Sequence, residues 1–247
     1  MTSEAYHILG EERRSRWLVT CDHASNHVPP WVSGGDLGLP ASDMARHIAW
    51  DVGAAGLAEA LAERLDAPAI LSKFSRLVID PNRGEDDPTL LMKLYDGSII
   101  PGNRHAGPQE TEERLARLHR PYHEAYEALA TRRDDTVVVA IHSYVSQLRG
   151  RPFRPWQVAI LHSHLDSRLA DPLIARLRED AELMVGDNEP YSGHLPGDSI
   201  DRHALSEGRP NVLIEVRNDL IEEEAGQIAW AERLAPALRD ILRETGL

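Results

Sequence analysis

Short apolar runs rich in β-branched residues recur along the chain, and the stretches between them carry helical spacing or polar loops. Trp17–Thr20, Leu77–Ile79, Val137–Ile141, Val158–Leu161 and Val212–Ile214 read as buried strands. Between them, Asp43–Leu65 places apolar residues at Met44, Ile48, Val52, Leu57, Leu61 and Leu65, which predicts an amphipathic helix. Thr111–Ala130 opens on Thr111-Glu112-Glu113, a helix start with early negative charge. Ser167–Leu177 predicts a third helix and Glu222–Thr245 a long fourth, with Glu222-Glu223-Glu224 as its acidic beginning. Strands alternating with helices predict an α/β fold: one three-layer domain over residues 1–247, with a mostly parallel central sheet covered by helices on both faces. There is no internal repeat, no low-complexity segment and no linker long enough to mark a domain boundary.

Open α/β sheets place their chemistry at the carboxyl ends of the strands. Two of the predicted strands run into histidine there: Trp17-Leu18-Val19-Thr20-Cys21-Asp22-His23 and Thr136-Val137-Val138-Val139-Ala140-Ile141-His142-Ser143. A third, Val212-Leu213-Ile214, ends in Glu215. Two imidazoles and a carboxyl at three strand ends predict metal-assisted hydrolysis. Long loops around Gly34-Gly35, Gly84–Pro108 and Val185–Pro210, with their flanks, carry Asn82, Arg83, Arg104, His105, Asn188, Tyr191 and His194. Loops of that length in a compact domain are usually functional.

Composition narrows the class. The 247 residues, 42% hydrophobic and 27% charged, suffice for a sizeable core. A net charge of −13 speaks against nonspecific nucleic-acid binding, which needs a basic field. Cys21 is the only cysteine, so no intrachain disulfide forms, as suits a reducing cytoplasm. The segment Met1–His7 is polar, unlike a signal peptide, and no run approaches the ~20 apolar residues of a membrane span. The expectation is a cytoplasmic enzyme acting on a small molecule, with no membrane or nucleic-acid partner.

Each candidate has a plainer structural reading. His23 and Asn26, three apart in a turn, can converge on one ion, yet Asp22, Ser25 and Asn26 are also ordinary turn and capping residues. Asp22 and His27 are alternative ligands, and His162-Ser163-His164, after its own strand, competes with His142. Ser143 follows His142, but no G-x-S-x-G elbow surrounds it, which disfavours a serine hydrolase. Ser75-Arg76-Leu77-Val78-Ile79-Asp80-Pro81-Asn82-Arg83 flanks a predicted strand with two arginines, whose planar forks match a carboxylate; a surface Asp80–Arg83 ion pair is the plainer reading. Glu215 either takes a proton from water or pairs with Arg217.

In this order the pieces resemble the N-formylglutamate amidohydrolases. The resemblance rests on Asp22-His23-Ala24-Ser25-Asn26-His27-Val28-Pro29, residues 75–83, Ile141-His142-Ser143, Asn188-Glu189-Pro190-Tyr191-Ser192-Gly193 and Ile214-Glu215-Val216-Arg217. It implies a phosphorylase/hydrolase-like fold shared with zinc carboxypeptidases, a divalent metal of the zinc type, and cleavage of the N-acyl (N-formyl) amide of an amino acid such as N-formylglutamate. By the same resemblance the metal ligands are His23, Asn26 and His142, although such sites normally carry glutamate where Asn26 stands. Asn82 and Arg83 would bind the substrate carboxylate, Arg76 would polarise the scissile carbonyl, Tyr191 would border the pocket, and Glu215 would act as base toward a metal-bound water. A zinc carboxypeptidase acting on a peptide or cell-wall fragment, and a metal-free binding or regulatory relative, are the competing readings. Arg104, Arg149 and Arg202 are candidates for a second substrate carboxylate.

Overall fold

The computed structural model describes residues 3–247. In chain order its main elements are β1 (Tyr6–Leu9), β2 (Trp17–Cys21), α1 (Ala41–Met44), α2 (Ala54–Leu65), β3 (Ala69–Ser72), β4 (Leu94–Tyr95), β5 (Ser98–Ile99), α3 (Pro108–Arg114), α4 (Arg120–Ala130), β6 (Val137–Tyr144), β7 (Val158–Leu161), α5 (Ala170–Leu177), β8 (Val185–Asp187), β9 (Asn211–Arg217) and α6 (Glu224–Thr245). Seven strands form one mixed sheet in the order β1-β3-β2-β6-β9-β7-β8, and β4 and β5 make a separate hairpin. The four central strands β3, β2, β6 and β9 are parallel, whereas β1 and β7 each run antiparallel to their central neighbours.

The sheet is covered on both faces, as the alternating pattern requires. Side chains alternate along a strand, so Val137, Val139 and Ile141 of β6 pack under α2, α5 and α6 while Val138 and Ala140 pack under the α4 side. The strands are buried throughout, which is why they read as continuous apolar runs. The same alternation puts His142 and Glu215 on the α4 face, beyond Ala140 and Leu213.

Three local departures matter. Leu77–Ile79, expected as a strand, is a buried turn; the strand in that position is β3, eight residues earlier. The apolar content of residues 77–79 reflects burial against the core, not sheet pairing. The expected helix Asp43–Leu65 is interrupted: only α1 and α2 are helical, and residues 45–53 fold into turns. Gly53 ends the break with φ of 79°, and a Cβ there would meet the Ile221 carbonyl at 2.0 Å, so only glycine fits. Finally, the run from Thr111 to Ala130 is helical but passes through a wide π turn at Leu115–His119.

Candidate active site and metal centre

Parallel strands β2 and β6 deliver His23 and His142 to the same end of the sheet, where the two rings meet edge to face with centroids 5.0 Å apart. Between them stands Asp51, brought in by the interrupted segment before Gly53. The Asp51 Oδ2 atom lies 3.2 Å from His23 Nδ1 and 2.8 Å from His142 Nδ1. These three side chains, all buried, offer ligand atoms within 4.8 Å of one another, the one such group among the described residues.

The outer nitrogen of each ring faces another buried carboxylate. His23 Nε2 is 2.8 Å from Asp80 Oδ1, and His142 Nε2 is 3.4 Å from Asp22 Oδ2, an ion-pair distance too long for a strong hydrogen bond. Asp80 is held by the Nε and Nη2 of Arg76 at 3.2 and 2.8 Å, and Asp22 accepts a 2.6 Å bond from the Tyr122 hydroxyl. A carboxylate behind a histidine fixes the ring's tautomer and orientation, the usual support of a metal-binding imidazole.

Charge balance bears on what fits here. Burial opposes ionisation of all three aspartates, yet the rings hold Asp22 down at about 2 and Asp51 below the usual carboxylate range, while Arg76 does the same for Asp80. Burial likewise opposes charging of His142, but Asp22 and Asp51 outweigh it and raise the imidazole well above its ordinary value. Three buried carboxylates thus stand against Arg76 and the protonated His142, and a divalent cation held by these side chains would take over the neutralising role of the His142 proton. Asp22 Oδ2 and His142 Nε2 are also buried without hydrogen-bond partners. Imidazole nitrogens with a carboxylate oxygen are a donor set suited to zinc and its neighbours, so the residues fit such an ion.

Glu215 sits beside His142, its register partner on β9. Its Oε2 is buried with no hydrogen-bond partner, and burial pushes its carboxyl up to about 7, with His142 pulling the other way and Asp51 adding to the rise. A carboxyl poised there can exchange a proton near neutral pH.

One cavity gathers His23, Asp51, Arg76, Asn82, Arg83, His142, Tyr191 and Glu215. Asn82 accepts the backbone N–H of Ser199 on its Oδ1 at 3.1 Å. Arg83 spends Nε on Thr89 and Nη1 on the Asn82 carbonyl, and among the described residues it has no carboxylate partner, so the surface ion pair with Asp80 does not form. Arg76 faces the same cavity, but Asp80 occupies its Nε and Nη2, and its Nη1 lies 3.5 Å from Asp51. The Tyr191 hydroxyl accepts a 3.0 Å bond from Arg154.

The structure does not bring Asn26 to this group. Its side chain is exposed and donates to the Met44 carbonyl at 3.0 Å, because the chain turns outward after Asp22-His23. His27 is exposed as well. His162 and His164 do not join the cavity, since β7 runs antiparallel to β9 and delivers them away from the end where His142 and Glu215 emerge; His162 Nε2 contacts Asp187 instead. Asp51, Asp80 as a partner of His23, and Tyr122 were missed in the sequence. A signal for Asp51 was present: the apolar spacing slips from Val52 to Leu57, and Gly53 follows two residues after the acid.

Residues 15–222 match the model of the N-formylglutamate amidohydrolase family, well over half of the chain. The chain belongs to the N-formylglutamate amidohydrolase family. Membership makes it an amidohydrolase, a hydrolase of an amide bond. Among solved structures, a gene product from Agrobacterium tumefaciens is similar at 35% identity and a TM-score of 0.92, over 98% of this chain and 96% of that one. An N-formylglutamate amidohydrolase from Ralstonia eutropha JMP134 shares the fold at 22% identity and a TM-score of 0.70, over 98% and 97%. No curated protein matches the chain. Among the described residues no helix is long and apolar enough to cross a membrane.

Proposed function

We propose that this family member is a metal-dependent deformylase that cleaves the N-acyl amide of a small acidic amino acid, N-formylglutamate being the first substrate to test. The observation that carries the reading is the convergence of His23, Asp51 and His142 with Glu215 and an acid-free arginine, Arg83, in one cavity. An ion of the zinc type held by His23, Asp51 and His142 would polarise the scissile carbonyl and acidify water at neutral pH. Arg83, with the carboxamide of Asn82, binds and orients the substrate α-carboxylate, a task for which a planar guanidinium is suited. Glu215 takes the proton from the attacking water and returns it to the departing amine nitrogen, so that formate and the free amino acid leave. Arg76 keeps Asp80, and through it His23, in place; its remaining Nη1 lies 3.5 Å from Asp51 Oδ1. Tyr191 borders the entrance, 40% exposed and braced by Arg154. The site is small, about 170 Å³, below the ~300–1,000 Å³ of pockets for drug-sized ligands, which favours an acyl amino acid over a peptide. The test is release of formate from N-formylglutamate by the purified chain and by its Glu215→Gln variant. Turnover by the first and its near-abolition in the second is expected, and equal turnover by both would overturn the assignment of Glu215.

A further inference from the structure

Behind the residue 81–83 segment lies a line of buried histidines that none of the chemistry above uses. His123 and His119 project from the α4 side, and His203 from a wide helical turn at Asp201–Leu205. His123 Nε2 lies 2.9 Å from the Pro81 carbonyl oxygen and His119 Nε2 lies 2.9 Å from the Arg83 carbonyl oxygen, the two carbonyls flanking Asn82. His123 Nδ1 is 2.8 Å from His203 Nε2, and His203 Nδ1 is 2.8 Å from Glu127 Oε2. His119, His123 and His203 are each no more than 1% exposed.

The direction of this chain follows from donor and acceptor chemistry. A carbonyl oxygen only accepts, so Pro81 requires a proton on His123 Nε2. If His123 is neutral, its Nδ1 is then an acceptor, and His203 must donate from Nε2. The last contact, His203 Nδ1 to Glu127, also requires a proton. Three contacts need three protons, and two neutral imidazoles supply only two. The Glu127 end therefore holds one more. Arg209 donates to the other oxygen, Glu127 Oε1, at 3.3 Å and favours the carboxylate, while burial lowers the His203 imidazole below its ordinary value, so the additional proton is shared along the His203 Nδ1–Glu127 Oε2 contact. Around the relay, Tyr126 stacks on His203 with centroids 4.1 Å apart and Tyr122 meets the edge of His123, while Arg202 and Asp22 act on the relay electrostatically in addition to Glu127 and Arg209.

From this geometry we infer that His119 and the Glu127–His203–His123 relay are positioning residues for the carboxylate anchor, setting the carbonyls on either side of Asn82 and hence the aim of Asn82 and Arg83. The inference rests on the reading of Asn82-Arg83 as that anchor. It gives a surface carboxylate, Glu127, a hold on substrate binding from outside the cavity.

Two measurements on the full chain test it. With ¹⁵N-labelled histidine, NMR should show His123 protonated on Nε2 with a bare Nδ1, and His203 protonated on Nε2. A His123 protonated on Nδ1 alone would overturn the relay, and this measurement needs no substrate. In kinetics on N-formylglutamate, Glu127→Ala should raise KM about tenfold with kcat within about twofold, the effect of one charge-assisted hydrogen-bonded link lost. Glu127→Gln should restore KM, because its amide can donate to His203 Nδ1 while its oxygen still accepts from Arg209. Glu127→Gln as impaired as Glu127→Ala would overturn the proton count. A correct tautomer with KM unmoved in both Glu127→Ala and Arg83→Ala would instead overturn the anchor reading beneath it.

Discussion

His142 and Glu215 are register partners on adjacent parallel strands, so imidazole and carboxyl emerge side by side on one face of the sheet. The sheet itself thereby fixes the spacing between the His23–Asp51–His142 group and Glu215, the proposed base. Replacing Glu215 by glutamine keeps the shape and removes the base. Formate release should fall by about 10²–10⁴-fold with KM little changed, as read from steady-state kinetics, and the metal content should stay that of the unaltered chain.

On the proposed reading Asp51, not Asn26, completes the group of side chains that would hold the metal. Asp51→Asn should lose most of the bound metal by elemental analysis of the purified protein, while Asn26→Ala should retain it and stay active within severalfold. Asp80→Asn removes the carboxylate behind His23 and should weaken metal affinity by about 10–100-fold without abolishing it. Competition with a chelator of known affinity separates the three.

Arg83 lines the cavity with no carboxylate partner among the described residues, and on the proposed reading it takes the substrate acid. Arg83→Ala should raise KM for N-formylglutamate by roughly 10–100-fold, in line with the 1.5–3 kcal/mol of a hydrogen bond to a charged group. Arg83→Lys should restore little of this, because an ammonium cannot replace the guanidinium fork. An uncharged N-formyl amide lacking the α-carboxylate should be affected far less by either change.

Much of this arrangement was legible in the chain. His23 and His142 were readable because parallel strands announce themselves as apolar runs, and Glu215 because the next strand ends the same way. Asn82, Arg83 and Tyr191 stood in loop segments, and all three line the cavity. Asp51 was hidden by a helical pattern that continues on both sides of a nine-residue break; the pattern records burial, and residues 45–53 are buried in part without being helical. Leu77–Ile79 misled for the same reason, since an apolar run shows burial and leaves hydrogen-bond pairing open. The fate of His162 and His164 depended on the direction of β7, which is decided by its antiparallel pairing with β9 and not by its own residues.

Asp198, on the cavity wall, gives a pH signature of its own. Burial pushes its carboxyl from an ordinary 3.8 up to about 7, with the Asp201 N–H opposing and Asp22 adding to the rise. The folded protein therefore holds this proton between about pH 4 and pH 7, where the unfolded chain releases it. The stabilisation is complete below the unfolded value and is lost as pH rises through about 7, at up to ~1.4 kcal/mol per unit. Asp198→Asn should remove this decline, gaining stability relative to the unaltered chain from pH 5 to pH 8 in urea melts.

The most direct measurement is formate release from N-formylglutamate before chelation, after chelation, and after Zn²⁺ is restored. The metal group of His23, Asp51 and His142 predicts activity that disappears on chelation and returns with the ion. Undiminished activity in the chelated, metal-free protein would contradict it.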